Sequence, residues 1–200
     1  MREPPAVEPV TRQATSRAAL ALVTVLLGVA PAAKAADANL FPNGDFSQSN
    51  QLAGWSCLSG SWSSDDAAAG AGSGSMWLQN FLTTAGHCTS SCIAVRPGSA
   101  YSIRGQSRVL FGNPVVSFTC TESFNTQCTS VAHTLPGPAM SSAYAWNDTP
   151  AAASGLLTSG TLSLQCTATL GSQDAGGISG HFDNLFFATD DIFFQGFEPQ

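Results

Sequence analysis

Hydrophobic and polar residues alternate along several short runs of this chain, and the clearest run is TLSLQCTATL at positions 161–170. One face of an extended strand through this run carries Leu162, Leu164, Cys166, Ala168 and Leu170. The other face carries Thr161, Ser163, Gln165, Thr167 and Thr169. A period of two residues is typical of an antiparallel strand with one buried face. The pattern therefore predicts a half-buried strand whose cysteine points into the core.

A second alternating run, YSIRGQSRV at positions 101–109, separates apolar from polar side chains in the same way. The apolar face carries Tyr101, Ile103 and Val109. The opposite face carries Arg104, Gln106 and Arg108. The run predicts a strand that presents a stripe of planar polar groups on its outer side.

Further strands are predicted at VVSFTC (115–120) and GHFDNLFF (180–187). Turn signals such as PNGD, FGNP, LPGP and DAGG lie between the apolar runs, and residues 136–150 predict a longer irregular crossing. Regular short strands divided by such turns favour an all-β fold over a parallel α/β fold. We expect a two-sheet antiparallel β-sandwich.

The N-terminus predicts an export signal. Three arginines precede an apolar run of 13 residues at positions 18–30, and Ala33 and Ala35 occupy the small-residue positions that a signal peptidase requires. A membrane-spanning helix needs about 20 apolar residues, so an anchor is the weaker alternative. The sequence thus predicts a signal peptide at 1–35 and an exported domain at 36–189, secreted or held at the cell surface, with the periplasm as a further location.

The C-terminal segment 190–200 is rich in phenylalanine, and six of the twelve phenylalanines lie between Phe182 and Phe197. Its DIFFQGFE run resembles an IFxxGFE ending found in exported proteins of some Gram-negative bacteria. That resemblance implies a processing or display tag. The alternative is a last edge strand packed through Ile192, Phe193 and Phe197.

The charge balance narrows the range of partners. The whole chain has a formal net charge of −6. Without residues 1–35 it keeps three arginines, no lysine and eleven acids, a net charge of −8. Nucleic acids and anionic membranes are bound through clustered Lys and Arg, so neither is expected as a partner.

Six cysteines follow the export signal: Cys57, Cys88, Cys92, Cys120, Cys128 and Cys166. An even number in an exported chain predicts three disulfides, although six cysteines permit 15 pairings. Local spacing favours Cys120 with Cys128 around a short loop and Cys88 with Cys92, which leaves Cys57 with Cys166. A zinc site is the alternative for HCxxxC at 87–92, but no matching second ligand pair is present.

Three ordered motifs resemble jelly-roll carbohydrate-binding modules of families 4 and 9, within the galactose-binding-like group. They are NLFPNGDFSQSNQLAGW at 39–55, RPGSAY at 96–101 and HFDNLFF at 181–187. The resemblance implies a jelly-roll fold and non-catalytic sugar binding. It also implies a structural calcium where the first and last strands meet, with Asp45 and Asp183 at the matching positions; otherwise both are solvated turn acids. Ser47 stands where the family usually has glutamate, which counts against the calcium, and no other cofactor is expected.

No catalytic constellation is recognisable in the sequence. A G-x-S-x-G elbow is absent, and His87, His133 and His181 lie far apart and are expected at the surface or in turns. Paired glycosidase carboxylates are not evident either, because only Glu122 and Glu198 remain after the signal. A small hydrolase is therefore the least supported class, and the chain is not expected to be an enzyme.

Sugar recognition needs aromatic faces and planar polar side chains on a rigid sheet. The predicted candidates are Trp77, Gln79, Arg104, Gln106, Arg108, Tyr144 and Trp146. The alternative makes the tryptophans sheet-covering residues and the Arg/Gln stripe a solvated face. We expect an exported binding module for a polysaccharide or cell-surface glycan; a structural or adhesive surface protein with protein partners is the competing class.

Overall fold

The computed structural model of the protein describes residues 38–80, 85–172 and 177–190. The predicted signal peptide and the phenylalanine-rich tail beyond residue 190 lie outside these residues. The described residues form the strands β1 (Trp55–Leu58), β2 (Gly60–Ser63), β3 (Ser75–Asn80), β4 (Gly86–Ser90), β5 (Ile93–Ala94), β6 (Ala100–Phe111), β7 (Pro114–Ser123), β8 (Val131–Leu135), β9 (Ala151–Leu156), β10 (Ser163–Ser172) and β11 (Ile178–Thr189). No helix within them is long and apolar enough to cross a bilayer.

The strands form two antiparallel sheets. The first sheet has the order β1-β4-β10-β7-β8, with β5 pairing to β10, and the second has the order β2-β3-β11-β6-β9. Most strands pair with strands that are not their neighbours in the sequence, so the chain repeatedly crosses from one sheet to the other. The predicted all-β, two-sheet sandwich of jelly-roll type is confirmed.

The core lies between the sheets and is aromatic. Phe46, Phe118, Phe182 and Phe187 are among its largest fully buried side chains. On β10 the predicted alternation is confirmed, because its four apolar residues from Leu164 to Leu170 are buried and the intervening polar residues are half-buried. The prediction fails at the start of the run: Leu162 precedes the strand and is 40% exposed, whereas Thr161 and Ser163 of the polar face are fully buried.

The N-terminal segment completes the second sheet beside the last strand. Leu40 N–H donates to the Phe187 carbonyl, and Leu185 N–H donates to the Gly44 carbonyl, both at 2.8 Å. A side chain at Gly44 would overlap the Leu185 carbonyl oxygen, so this approach requires glycine. The motif at 39–55 therefore has a structural role that the resemblance did not specify.

A β-bulge interrupts β11 at Asn184, whose φ is 49°. Asparagine tolerates this left-handed conformation better than most residues. Alternation resumes after the bulge in a shifted phase, so that Leu185 and Phe187 are buried while Phe186 is only half-buried. The bulge thus directs Phe186 to the outer face of the second sheet.

The disulfides differ from all three predicted pairings. The structure joins Cys57 to Cys88, Cys92 to Cys128 and Cys120 to Cys166. Cys57 and Cys88 are direct partners on β1 and β4, and Cys120 and Cys166 are direct partners on β7 and β10. Closeness in sequence was the wrong guide, because strand pairing brings distant cysteines face to face. The prediction of three disulfides is confirmed.

Candidate functional site

The outer face of the second sheet carries a row of side chains that face away from the core. The strand register places Trp77 on β3 opposite His181 on β11, and His181 opposite Arg108 on β6. Core residues on both sides of Trp77, Met76 and Leu78, are fully buried, whereas Trp77 is half-buried. The row therefore places the Trp77 ring on one side of the buried His181 imidazole and the Arg108 guanidinium on the other.

Two loops add further groups to this row. Asp65, from the loop 64–74, forms an ion pair with Arg108, and Trp146, from the crossing 136–150, donates from Nε1 to Asp65 Oδ1 at 3.4 Å. The Arg108 guanidinium lies 5.4 Å from the centre of the Trp146 ring. We call Asp65, Trp77, Arg108, Trp146 and His181 the tryptophan cluster.

His181 is the centre of the cluster. Its ring lies 6.5 Å from that of Trp77 at an interplanar angle of 19°, and 6.1 Å from that of Trp146. It is 3% exposed, so the expectation of a surface or turn histidine was wrong. Burial, together with the positive charge of Arg108, lowers the pKa of His181 to about 4, and the imidazole is neutral at neutral pH.

His181 lies between a serine and an aspartate, in a serine–histidine–aspartate arrangement. Ser75 Oγ lies 2.7 Å from Nδ1, and Asp65 Oδ2 lies 3.5 Å from Nε2. A neutral imidazole with its proton on Nε2 accepts a hydrogen bond from Ser75 and turns its N–H towards Asp65. Ser75 is fully buried, so no substrate carbonyl can reach its hydroxyl in this structure. The arrangement holds the cluster in place rather than presenting a nucleophile.

Asp183 anchors the loop 64–74 to the sheet. Its carboxylate accepts from Ala67 N–H at 2.9 Å and from Asn184 N–H at 2.6 Å, and its exposure is 0%. Burial, and to a lesser degree the neighbouring Asp66, raises the pKa of Asp183 to about 7, although the two amide donors oppose this. The alternative of a solvated turn acid is therefore wrong for Asp183.

The calcium implied by the resemblance would need oxygen ligands around Asp45 and Asp183. No group of three or more His, Cys, Asp or Glu side chains among the residues that the structure describes is arranged to hold a metal ion. Calcium in proteins takes six to eight oxygen ligands. Asp45 is exposed in the N-terminal turn, and Asp183 already accepts two amides. Calcium at these two residues stays a prediction of the resemblance, and no role is derived from it.

The remaining predicted site residues are placed differently. Gln106 is 5% exposed; its Nε2 donates to the Asn147 carbonyl and its Oε1 accepts from Asn184, both at 2.5 Å, so its amide serves the fold. Gln79 is half-buried on the same face as Trp77. Tyr144 is 66% exposed and donates to the Gly112 carbonyl at 3.0 Å, outside the cluster.

Arg104 is exposed farther along β6, with its guanidinium 4.4 Å from the centre of the Phe186 ring. The structure therefore unites Trp77, Arg108 and Trp146 among the predicted residues. Sequence reasoning missed Asp65 and His181. Alternation along β11 places His181 on the outer face, but the loop that buries it could not be seen in the sequence.

Comparison with known proteins gives a likeness in fold. No family model matches the sequence, and no curated protein matches it. Similar solved structures include the enzymatically active domain of bacteriophage CBA120 tailspike protein 4, with a TM-score of 0.56 at 16% identity. The match covers 76% of this chain and 21% of that structure. The MgGH51 α-L-arabinofuranosidase, solved with arabinose bound, gives a TM-score of 0.54 at 16% identity. The match covers 76% of this chain and 26% of the arabinofuranosidase.

The module TmCBM61, solved in complex with β-1,4-galactotriose, is similar over nearly its whole length. The TM-score is 0.51 at 11% identity, with 76% of this chain covering 99% of that one. The chain thus spans about a fifth and a quarter of the two larger structures. Identities this low establish the fold alone, and that fold is the jelly-roll sandwich used by carbohydrate-binding modules.

Proposed function

We propose that the protein is an exported, non-catalytic carbohydrate-binding module that holds its ligand at the tryptophan cluster. The observation that carries the proposal is the row of Trp77, His181 and Arg108 across three strands, capped by Trp146 and Asp65. The fold shared with TmCBM61, itself seen with a β-1,4-linked galactose trimer, supports the same class of ligand.

The chemistry of the cluster fits a sugar. Trp77 and Trp146 are half-buried, so each exposes part of an indole to which the apolar face of a sugar ring can stack. Arg108 and Asp65 are 24% and 26% exposed at their side chains, and they offer hydrogen-bond donors and acceptors to ring hydroxyls. Apolar surface with a few placed polar groups is the usual composition of a small-molecule site.

Contacts within the protein also hold the cluster before any ligand arrives. The Asp65–Arg108 ion pair, the Trp146 hydrogen bond and the buried His181 fix the side chains that a sugar would contact. Fixing side chains in advance lowers the entropy lost on binding. A neutral His181 keeps the cluster from acquiring a second positive charge at neutral pH.

Three disulfides support the proposed export, because disulfides persist in oxidising compartments such as the periplasm and the cell exterior. The predicted signal at 1–35 supports the same destination. Secretion or display at the cell surface would bring the module to polysaccharides.

The test is retention on immobilised neutral polysaccharides, backed by a glycan array that includes β-1,4-galactotriose. We expect wild-type protein to bind at least one glycan and Trp146→Ala to lose about 30-fold in affinity, since a buried aromatic anchor contributes about 2 kcal/mol. Phe124→Ala is the matched control, because Phe124 is a 51% exposed aromatic that directly follows β7 of the first sheet. Binding to no glycan, with capture of a protein partner, would instead support the structural or adhesive class.

A further inference from the structure

A shallow cleft of about 250 Å³ lies on the outer face of the second sheet, apart from the tryptophan cluster. Arg104 and Phe186 line it from the sheet, Gly44 and Asp45 line it from the N-terminal turn, and Pro150 closes its rim. Arg104 and Arg108 are four residues apart on β6, which places the cleft about 13 Å along the strand from the cluster. The cleft is a separate place on the same face.

Its polar groups have unused hydrogen-bonding capacity. The Arg104 Nε donates to Ser102 Oγ at 3.5 Å, and among the described residues no carboxylate lies within ion-pair distance of its guanidinium. Asp45 uses its backbone carbonyl, which accepts from Ser73, while its carboxylate has no partner among the described residues. Asn184 donates from Nδ2 to Gln106, which leaves its Oδ1 open within the described part of the chain.

These groups call for a ligand that both donates and accepts hydrogen bonds. The guanidinium is a donor only, whereas the carboxylate of Asp45 and the Oδ1 of Asn184 are acceptors only. A pair of sugar hydroxyls satisfies both kinds at once. The opposite charges of Arg104 and Asp45 cancel, so the cleft favours a neutral ligand over an anion, which Asp45 would repel.

The size and walls of the cleft fit one sugar ring. A volume of 250 Å³ is smaller than the roughly 300–1,000 Å³ of pockets for drug-sized ligands. Phe186 and Pro150 supply apolar surface for a ring face. The missing side chain of Gly44 keeps the N-terminal turn close against Leu185, and so defines one wall.

We propose that this cleft is a second carbohydrate subsite, which binds one neutral sugar unit through Arg104, Asp45 and Asn184. The inference rests on the proposed function, because it names a further place where the same class of ligand is held. It differs from the tryptophan cluster in residues and in chemistry: the cluster stacks a ring on indoles, whereas the cleft holds hydroxyls between a guanidinium and a carboxylate.

The test is a ¹H–¹⁵N NMR titration of the intact exported protein with three neutral trisaccharides, β-1,4-galactotriose, cellotriose and xylotriose, and with trigalacturonate as an anionic probe. We expect at least one neutral trisaccharide to shift the Asn184 side-chain amide and the Arg104 Nε–H as well as the Trp146 indole N–H. Arg104→Lys and Asp45→Asn should each weaken the response at the cleft at least tenfold and leave the Trp146 response unchanged. Asp148→Asn, an exposed acid in the crossing 136–150, is the matched control.

The outcomes separate the two proposals. Shifts at Trp146 with none at Asn184 or Arg104 overturn the second subsite and leave the proposed function standing. Shifts at the cleft from trigalacturonate but from no neutral sugar overturn its assignment to a neutral ligand. No response anywhere to any probe contradicts the proposed function and, with it, the subsite. Cleft shifts that persist in Trp146→Ala support two independent places of binding.

Discussion

The bond between Cys92 and Cys128 allows a quantitative test of the disulfide pattern. Unlike the two cross-strand bonds, it joins loops: Cys92 follows β4, Cys128 follows β7, and their Cα atoms are 5.7 Å apart. The double substitution Cys92→Ser with Cys128→Ser removes it without leaving a free thiol. The other two disulfides should still form in this variant.

The expected loss follows from the loop that the bond closes. Its sequence separation is 36 residues, for which loop-closure entropy gives about 3.8 kcal/mol at 25 °C. A domain of about 150 residues unfolds with an entropy of roughly 0.3 kcal/mol/K, so the melting temperature should fall by about 12 °C. These values are upper limits, because residual structure in the unfolded chain reduces the entropy difference.

Trypsin digestion of the denatured, unreduced variant then reports the pairing. Cleavage after Arg104 and Arg108 separates an N-terminal part with Cys57 and Cys88 from a C-terminal part with Cys120 and Cys166. In the structure both remaining bonds lie within one part, so the two parts should separate on a non-reducing gel. Two parts that stay joined, or free thiols in the variant, would contradict the observed pairing and favour a bond between Cys57 and Cys166.

Three further substitutions test two buried carboxylates and the close approach of the N-terminal turn to β11. Burial raises the pKa of Asp183 to about 7, so between about pH 4 and 7 the folded protein holds a proton that the unfolded chain releases. The stabilisation from this group is therefore full below about pH 4 and is lost as the pH rises through 7. Urea unfolding should therefore find Asp183→Asn more stable than wild type at pH 8, by up to about 4 kcal/mol, and the gain should vanish near pH 4; a gain independent of pH would refute the assignment. Burial raises the pKa of Glu122, but hydrogen bonds from Thr158 and Thr161 outweigh it, and the lowered pKa means that its stabilisation is lost as pH falls. By the same assay, Glu122→Gln should lower the free energy of unfolding by about 2–3 kcal/mol at pH 7 and by less at pH 3. An equal loss at both pH values would contradict a stabilising negative charge on Glu122. Gly44→Ala should lower the melting temperature by more than 5 °C, whereas Gly171→Ala, whose added methyl meets only ordinary contacts, should lower it less, and equal shifts would contradict the close approach of Gly44 to β11.

Alternating sequence patterns predicted much of the fold because each strand buries one face against the same core. The faces of residues 101–109 and 163–170 follow directly from that alternation. The bulge at Asn184 shows its limit, since one residue in a left-handed conformation shifts the phase of everything after it. Disulfide pairing was beyond reach for a related reason: it depends on which strands are neighbours, and the order of strands is set by the whole topology.

The candidate site was predicted only in part. Trp77 and Arg108 could be chosen by residue type and strand phase, and Trp146 by residue type in a predicted loop. The burial of Gln106 could not be predicted, because it depends on how the crossing 136–150, a loop without periodicity, folds over the sheet. This crossing covers Gln106, which donates to the Asn147 carbonyl. For the same reason the sequence did not indicate the partnership of Asp65 with Arg108.

We propose that the outer face of the second sheet binds a sugar through its tryptophans. Isothermal titration with the best-retained neutral oligosaccharide, comparing wild type with Trp146→Ala at matched thermal stability, tests it most directly. We expect the dissociation constant of Trp146→Ala to be about 30-fold higher than that of the wild type. Equal affinity of the two proteins for that oligosaccharide would contradict it.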